Sequence, residues 1–332
     1  MIKVVLDAFG GDNCPGCNID GAINALKEKD DLKVILTGDE NILNEELKKR
    51  GFSSDRLEIV NAPEVISLDE SPVSAVRKKK ESSLVKGIVM VKEGEADAFV
   101  SAGSSGAVLA GGQLLLGRLP GVQRPPLGTL IPTAKGVSFF LDMGANVDAK
   151  AEWLLQFAKM GSIYMKNVEG LDNPTVKLVN IGLEDEKGNA LTKEVNELLK
   201  NDETINYQGY CEAREVPHGT ADVIVADAFT GNAMIKMFEG TAGLFLTTMK
   251  KAFKDNLISK IGALLVMKSM KKALKPYDVS NYGGAPLLGV KGVMIKCHGN
   301  SKEKEIKNSV IQAYVFAKSK TNDIIAKAFE KV

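Results

Sequence analysis

The chain has 332 residues, of which 44% are hydrophobic and 26% charged, so it is long enough for one large domain or two with an ample core. Its 43 Lys and Arg against 42 Asp and Glu leave a formal net charge of +1, which excludes the global positive field typical of nucleic-acid-binding proteins. Residues 1–11 carry no cationic leader ahead of the first strand pattern, so we expect a cytoplasmic protein.

Strand and helix patterns alternate along the first third of the chain. Residues 2–8 are an apolar run that ends in Asp, which is typical of a buried parallel strand. Ser71-Pro72 is a favourable helix start and predicts one long helix over 71–94. The remaining predicted strands are 32–38, 57–62 and 97–103, and the remaining predicted helices are 19–29, 41–51 and 104–117.

The same alternation continues after a Pro- and Gly-rich stretch at 117–136, which is either an elaborated crossover or a boundary between two lobes. Predicted strands lie within 137–146, 176–182, 221–232 and 292–301, and predicted helices cover 150–168, 190–200, 231–255 and 303–330. This order predicts an α/β protein, with an open, mostly parallel, Rossmann-like layered sheet and helices on both faces. We expect a single catalytic domain over residues 1–332.

The chemistry-bearing residues follow the ends of the predicted strands. In open α/β sheets the ligand lies beyond the carboxyl ends of the strands, so loops at this edge are expected to converge on one cleft. Five loops qualify: Asp7–Asp12, Ser101–Gly106, Asp142–Asn146, Asp227–Asn232 and His298–Ser301. Asp7, Gly10, Gly11 and Asp12 are predicted to shape this cleft.

Three of these loops, SAGSSGA, LDMGAN and DAFTGN, place glycine beside Ser, Thr or Asn ahead of a helix. Such loops gather backbone N–H groups around an anion, and phosphate is the expected ligand. Cations would complete the site. Lys236 lies four residues after Asn232, and Arg77 is the best candidate from the run 77–80, with Lys80 second.

Carboxylates and one histidine leave alternatives open. Asp7, Asp12, Asp142 and Asp227 can bind Mg²⁺ or orient donors, although Asp142 is better explained as a cap for turn amides. Asp227 directly follows a buried run, where it would position a partner or cap a helix. His298, in KCHGNS, is either catalytic or a hydrogen-bonded structural group.

The cysteines and the missing motifs exclude several classes. Cys14 and Cys17 have the spacing of a redox pair or half a zinc site, but Cys211 and Cys297 are distant, so an inert role is favoured. The chain lacks GxGxxG, the P-loop and HExxH, and GSSG at 103–106 is one residue short of a nucleophile elbow. These gaps argue against a usual dehydrogenase, an NTPase, a zinc protease and a serine hydrolase.

One stretch breaks the charge balance. Residues 250–275 contain eight Lys and one Asp, with apolar residues at helical spacing, and Pro276 ends the pattern. An apolar stripe beside lysines predicts an interfacial helix on anionic lipid, a docking face for an acidic protein, or a dimer contact. The residues expected at such a surface are Ile261, Leu264, Leu265 and Lys268.

These blocks together resemble the phosphate acyltransferases of bacterial phospholipid synthesis (PlsX). DAFGGD with Pro15 is similar to the family opening, and SPVSAVRKKKESS, SAGSSGA, LDMGANVDAK, GLEDEKGN, ADVIVADAFTGN and SNYGGAPLLGVKG resemble later blocks in the same order. The resemblance runs from about residue 1 to 318. It departs at Asn13, where the family usually has His, at Ser105, where it has Thr, and at Ala228, where it has Gly.

The resemblance implies transfer of an acyl group from acyl carrier protein to inorganic phosphate. Phosphate binding is assigned to Ser104, Ser105, Asn146, Asn232 and Lys236. The catalytic candidates are His298 for the oxyanion or the departing sulfur, Asp227, and Arg77 for phosphate or the carrier's phosphopantetheine. No metal or cofactor is needed.

The resemblance also implies a homodimer that associates peripherally with an anionic membrane surface through a helical hairpin inserted at 241–280. A membrane glycerol-3-phosphate acyltransferase would then use the product. Two rivals remain: a phosphotransacetylase-like enzyme that uses acyl-CoA, and a non-catalytic membrane scaffold. A long acyl tunnel is expected for the carrier-protein enzyme and not for the coenzyme A enzyme.

Overall fold

The computed structural model of the chain describes residues 1–330, and the last two residues of the expected domain, 331–332, lie outside them. The first part contains β1 (Ile2–Asp7), α1 (Gly16–Glu28), β2 (Leu32–Gly38), α2 (Glu40–Lys49), β3 (Leu57–Asn61), α3 (Pro72–Lys78), α4 (Ser83–Lys92), β4 (Ala98–Ser101) and α5 (Ser105–Gly111). A π-helical segment, Gly112–Leu116, continues α5.

The second part contains β5 (Thr129–Thr133), β6 (Gly136–Leu141), α6 (Ala151–Asn167), β7 (Thr175–Asn180), α7 (Ala190–Lys200), β8 (Asn206–Glu212), β9 (Val223–Val225), α8 (Ala228–Lys254), α9 (Leu257–Leu274), β10 (Ala285–Pro286), β11 (Val293–Lys296), α10 (Glu303–Lys318) and α11 (Thr321–Phe329). Short 3-10 turns cover Ala213–His218, Lys275–Tyr277 and Val279–Asn281.

The strands form two mostly parallel sheets. One has the order β10-β11-β4-β1-β2-β3, and the other has the order β5-β6-β9-β7-β8. Among the strands of residues 1–330, only the pairs β10–β11 and β5–β6 run antiparallel. The predicted α/β class is confirmed, and the sheet is divided in two. The Pro- and Gly-rich stretch 117–136 lies in the sequence where the chain passes from the first sheet to the second.

A shared core joins the two sheets. Tyr164 of α6 stacks on Phe139 of β6, with ring centroids 4.5 Å apart, and meets Phe316 of α10 edge-on at 5.3 Å. The Tyr164 hydroxyl accepts a hydrogen bond of 3.0 Å from Gln312. Val4 and Leu6 of β1 belong to the same buried cluster. Burial of these aromatic rings therefore stabilises the packing of one sheet on the other.

The long helix predicted over 71–94 is wrong, because the chain breaks between α3 and α4. The Ser82 hydroxyl donates to the Lys79 carbonyl and accepts from the Val85 N–H, so it caps α4 instead of continuing α3. The Ser83 N–H donates to the Glu64 carbonyl, which ties the break to the loop after β3. Serine that offers the backbone another partner ends a helix in this way.

The other helix boundaries differ less. The closing helix predicted over 303–330 is interrupted at Lys320, whose φ of 52° lies in the left-handed region. The helix predicted to begin at 231 begins at Ala228, because Asp227 accepts from the Thr230 N–H as its cap.

α8 and α9 form the predicted protruding hairpin. Asn256 between them caps α9 by accepting from the Ser259 N–H. Most hairpin side chains are exposed, including Leu264 at 76% and Leu265 at 79%, and Ala263 is the buried residue of α9. Within the described residues, no helix combines the length and apolar character that a membrane crossing requires.

Candidate functional site

Three of the five predicted loops meet beyond the first sheet, where β11, β4 and β1 are neighbours. The Ser101 hydroxyl after β4 donates to Asp7 Oδ2 at 2.7 Å. The Asp12 N–H donates to the Gly299 carbonyl at 2.7 Å, which joins the loop after β1 to the loop after β11. The carboxyl ends of these strands therefore bring Asp7, Asp12 and the residues after Cys297 to one place.

Glycine is required where these loops cross. A Cβ at Gly10 would lie 2.7 Å from Asp7 Oδ2 and 2.7 Å from the Gly103 nitrogen. Gly11 has a φ of 95°, and a Cβ there would lie 2.9 Å from the Gly299 carbonyl oxygen. Only a residue without a side chain permits this approach and this backbone conformation.

Asp7 is the buried centre of this crossing. It is 2% exposed and accepts from the Ser101 hydroxyl and the Phe9 N–H. Burial raises the pKa of the Asp7 carboxyl, and hydrogen bonds from Ser83 and Ser101 oppose that shift. The Asn18 amide of α1 donates to the carbonyls of Asp7, Ala8 and Gly10, which holds the loop in place.

A cavity of about 210 Å³ opens above these loops. Its polar lining, called the floor below, includes Asp7, Asp12, the backbone of Gly103, and Ser104. Its apolar lining, called the wall below, includes Phe9, Val65, Ile66, Leu68 and Leu84. The cavity is too small to be the long acyl tunnel expected from the resemblance, because ligand pockets for drug-sized molecules start at about 300 Å³.

The apolar wall is held by the break between α3 and α4. The Lys79 ammonium donates to the Val65 carbonyl at 2.7 Å and pairs with Glu70 at 2.6 Å. Lys79 therefore has a structural role in the run 77–80. Arg77 and Lys80 are exposed. Arg77 lies in the last turn of α3, outside the residues that line the cavity.

Ser104 and Ser105 begin α5 but differ in position. Ser104 is 8% exposed, lines the cavity and caps the helix by accepting from the Ala107 N–H at 3.4 Å. Ser105 is exposed and follows it as the first helical residue. Of the two, the structure places Ser104 in the cavity.

The other two loops meet beyond the second sheet, where β6 and β9 are neighbours. The Ala228 N–H donates to the Asn146 carbonyl at 3.1 Å, and a Cβ at Gly231 would collide with the Asp142 carbonyl oxygen. Asp142 is fully buried and accepts from the backbone N–H groups of four residues and from one side-chain amide. The four N–H donors are Leu127, Gly144, Ala145 and Asn146. Asp142 thus has the capping role expected for it, and burial raises its pKa.

The side chains of Asn146 and Asp227 make hydrogen bonds within these loops. The Asn146 amide donates to Asp142 Oδ2 at 2.7 Å and to the Pro125 carbonyl at 3.0 Å, and the residue is 7% exposed. In this conformation Asn146 supports the loop, and its assignment to phosphate stays a prediction. Asp227 accepts from both the N–H and the hydroxyl of Thr230, so it acts as a helix cap.

Asn232, Lys236 and His298 are exposed. Asn232 and Lys236 lie four residues apart in α8, so they share one face near the start of that helix. His298 precedes Gly299, which lines the cavity, and its Nδ1 accepts from the Asn300 N–H at 3.4 Å. The structure thus brings Ser104 and the β1 loop together directly, and leaves these three residues at the surface.

Packing connects the two groups of loops. Met143 and Ala145, in the loop after β6, pack against the buried cluster that contains Ala107 and Val108 of α5. The loop after β6 and α5 therefore contribute to the same buried cluster.

Sequence reasoning placed Ser101 in a cleft loop without giving it a role, and it missed Lys296. Ser101 holds Asp7, and a hydroxyl as the last residue of a strand is the only signal for it. Lys296 is 8% exposed at the end of β11, where its ammonium donates to the Cys297 carbonyl. Burial lowers the pKa of Lys296, while Asp7 and Asp12 raise it. A lysine at the end of the apolar run VMIK was the available signal.

The cysteine pair shows no sign of redox activation. Cys14 and Cys17 are both free and half-buried. Burial, followed by the charge of Asp7, raises the pKa of the Cys14 thiol. A reactive cysteine needs the opposite shift, so the inert interpretation is favoured.

Known proteins resemble the chain over most of its length. The family described as "Fatty acid synthesis protein" matches residues 2–323. A phosphate acyltransferase of Clostridium beijerinckii is 48% identical over 316 residues, which cover 95% of each chain. A phosphate acyltransferase of Alkaliphilus oremlandii is 48% identical over 325 residues, or 98% of this chain and 96% of the relative.

Solved structures resemble the fold at low sequence identity. EutD phosphotransacetylase from Staphylococcus aureus has a TM-score of 0.61 and 18% identity, covering 95% of this chain and 94% of its own. A phosphotransacetylase from Streptococcus pyogenes has a TM-score of 0.58 and 19% identity over the same shares. These two show the fold alone. From the family match and the close relatives, the chain belongs to the fatty acid synthesis protein family, the family of the phosphate acyltransferases.

Proposed function

We propose that this acyltransferase moves a fatty acyl group from acyl carrier protein to inorganic phosphate and releases acyl phosphate for phospholipid synthesis. The observation that carries the proposal is the cavity beyond β1, β4 and β11, where the polar floor residues and the apolar wall residues line one space. The floor suits a phosphate ion, and the wall suits the thioester carbonyl with the first methylenes of an acyl chain.

The reaction requires little acid–base catalysis from the protein. Inorganic phosphate is already a nucleophile near neutral pH, and a thiolate leaves readily because an ordinary thiol has a pKa of about 8.5. The enzyme has to hold a phosphate oxygen against the thioester carbonyl and stabilise the oxyanion that forms. The reaction therefore needs no covalent serine intermediate, metal ion or cofactor.

Phosphate is assigned to Ser104 in the cavity and to Ser105 beside it, with Asn232 and Lys236 as the ligands contributed by α8. An amide and an ammonium four residues apart on one helix face present donors in the same direction. Lys236 would supply charge, and Asn146 would fix the loop behind it. Arg77 is assigned to phosphate or to the carrier's phosphopantetheine.

His298 is assigned to the oxyanion or to the departing sulfur. Because Nδ1 accepts from the Asn300 N–H, the neutral imidazole carries its hydrogen on Nε2. That atom is then the donor for developing negative charge. Asp227 contributes by positioning, since it holds the start of α8 and with it Asn232 and Lys236.

The hairpin is assigned to a dimer contact and to an anionic membrane surface. Ile261, Leu264 and Leu265 are at least half exposed on α9, and Lys268 is exposed beside them. An exposed apolar stripe of this kind marks an interaction surface, and lysines add attraction to anionic lipid. We therefore place the enzyme in the cytoplasm, peripherally on the membrane, where a glycerol-3-phosphate acyltransferase would take the acyl phosphate.

The test supplies purified protein with phosphate and with the palmitoyl thioester of either acyl carrier protein or coenzyme A. Acyl phosphate is trapped with hydroxylamine, and free thiol is measured in parallel. We expect acyl phosphate in amounts equal to the thiol released, with carrier protein as the preferred donor.

Other outcomes separate the rivals. Equal or faster turnover with the coenzyme A thioester would replace the proposed donor by coenzyme A. If the protein remains folded by circular dichroism and shows no turnover with either donor, the non-catalytic scaffold would be the remaining hypothesis.

A further inference from the structure

A second concave surface adjoins the loop after β6, because the Asn146 amide donates to the carbonyl of Pro125, the residue after Arg124. It encloses about 490 Å³ and is lined by three cations, Arg118, Arg124 and Lys150, and by Trp153 and Leu114 together with two glutamines. Among the described residues that line it, none carries a carboxylate. This surface is called the Trp153 groove below.

The cations are held in place around the indole ring. The Arg124 guanidinium carbon lies 5.0 Å from the Trp153 ring centroid, and the Lys150 ammonium lies 6.0 Å from it. The indole N–H donates to the Gln123 side chain at 2.8 Å, and the Arg118 guanidinium donates to the Gln123 backbone carbonyl. Stacking orients these charges without neutralising them, so the groove keeps its positive potential for an anion.

The Trp153 groove and the catalytic cavity lie at opposite ends of one helical element. Ser104 at its start lines the cavity, and Gln113, in the π-helical continuation of α5, lines the groove. Nine residues separate them, which corresponds to roughly 13 Å at 1.5 Å per residue.

We infer that the Trp153 groove binds the phosphate-ester end of the acyl donor's pantetheine arm while the thioester lies in the cavity. This inference rests on the proposed acyl transfer. Three bonds of an extended chain span about 3.5 Å, so the roughly thirteen bonds from the sulfur to the phosphorus of pantetheine phosphate span about 15 Å. That length is comparable to the rise along α5 from Ser104 to Gln113, and Leu114 would give the arm an apolar contact.

Two donors carry this phosphate ester. In acyl carrier protein it is a phosphodiester to a serine, and in coenzyme A it belongs to the diphosphate of the nucleotide. Both would place the same phosphate beside Arg118, Arg124 and Lys150. The experiment therefore includes both donors and a pantetheine that lacks phosphate.

Direct binding is measured by fluorescence, because Trp153 is the single tryptophan of the chain. Pantetheine 4′-phosphate and coenzyme A are titrated into the whole protein, with pantetheine and inorganic phosphate as controls. We expect a saturable change in emission with the two phosphate esters and none with pantetheine. In Arg124→Ala and Lys150→Ala the dissociation constant should rise about five-fold each, the effect of losing one exposed charge contact.

Kinetics give a second measurement. Arg118→Ala and Arg124→Ala should raise KM for the acyl-carrier donor about five-fold each and leave KM for inorganic phosphate unchanged. Neither variant should affect turnover of an acyl-pantetheine without phosphate. Lys48→Ala and Arg214→Ala, at exposed positions outside the groove, match the loss of charge and should behave as wild type.

The outcomes distinguish this inference from the proposed function. Saturable binding without turnover would remove the acyl-transfer proposal and retain the phosphate-ester site. Turnover in wild type with unchanged KM in the groove variants, or equal emission changes with pantetheine, would overturn the site. A preference for coenzyme A in both measurements would keep the site and identify the nucleotide as its source.

Discussion

The crossing of the β1 and β4 loops gives the sharpest prediction, the effect of Gly10→Ala. The added Cβ would lie 2.7 Å from Asp7 Oδ2, 2.7 Å from the Gly103 nitrogen and 2.9 Å from the Ser101 hydroxyl. Two of these atoms belong to backbone or to a buried carboxyl, so the clash cannot be relieved by rotating an exposed side chain. The loops therefore have to separate.

The cost has two parts. Overpacking in a well-packed region costs about 1–3 kcal/mol. Lengthening the hydrogen bond between Ser101 and the buried Asp7 carboxyl costs about 0.5–1.5 kcal/mol, the range for a typical protein hydrogen bond. We expect the free energy of unfolding to fall by about 3 kcal/mol. The variant stays folded, because the free energy of unfolding of a domain is about 5–15 kcal/mol.

Urea unfolding and steady-state kinetics test this prediction together. Because the same separation widens the floor of the cavity, KM for phosphate should rise about tenfold. Gly240→Ala is the matched control, since it lies in α8 with nothing within 4 Å of the added Cβ. It should gain up to about 1 kcal/mol from helix propensity. Wild-type stability and wild-type KM in Gly10→Ala would refute the reasoning.

The remaining predictions concern α8, the hairpin and Asp7. Asn232→Ala and Lys236→Ala should raise the phosphate requirement about tenfold with unchanged melting, because both side chains are exposed; unchanged phosphate dependence would remove them from the site. Leu264→Glu with Leu265→Glu should release the protein from anionic vesicles in sedimentation and spare turnover in solution; wild-type sedimentation would contradict this. Asp7→Asn should lose stability relative to wild type mainly at low pH in urea unfolding.

The sign of the Asp7 prediction follows from its raised pKa. A carboxyl whose pKa is higher in the folded state stabilises the fold while it is protonated, and this contribution is lost as pH rises from the unfolded value through the folded one. Wild-type protein loses this stabilising contribution as pH rises, whereas Asp7→Asn has no carboxyl at this position to titrate. The stability difference between them should therefore shrink as pH rises from about 4 upward. A difference that widens with pH would contradict the assignment.

The strand-end rule predicted that polar loops follow the strands, because it depends on local patterns, but it did not predict that these loops divide into two groups, beyond the first and the second sheet. An apolar run that ends in Asp7 or Ser101 shows where a buried strand stops, and parallel strands stop at a common edge. The partition into two sheets was not predictable in the same way. Pairing of β1 with β4 and of β6 with β9 joins segments distant in sequence, and no local pattern specifies those partners.

Sequence patterns missed three strands: β5 and β8, the two edges of the second sheet, and β10, an edge of the first. β5 contains Pro132, and β8 contains Gly209 with a φ of 78° beside a register shift. Proline and glycine reduce strand propensity and are tolerated at edges, where one side of the strand is unpaired. Sequence patterns typical of central strands therefore do not predict these edge strands.

Asn146 shows why side-chain roles were harder to predict than loop positions. The sequence LDMGAN offers an amide to a phosphate, but it cannot show that Asp142 is fully buried and accepts that amide. The Trp153 groove could not be predicted from the sequence for a related reason. Arg118 and Lys150 are 32 positions apart in the chain and line one groove only in the folded protein.

The size of the cavity limits where the acyl chain can lie. A methylene takes up about the volume of one water molecule, about 30 Å³, so a sixteen-carbon chain needs on the order of 450 Å³. The cavity holds about 210 Å³, which suffices for the reacting groups and the first few methylenes. Val65 and Leu68, 41% and 71% exposed at its wall, offer the only apolar continuation among the residues that line it. Under the proposed acyl transfer the rest of the chain lies outside the cavity, where a membrane or a second copy would shield it from water.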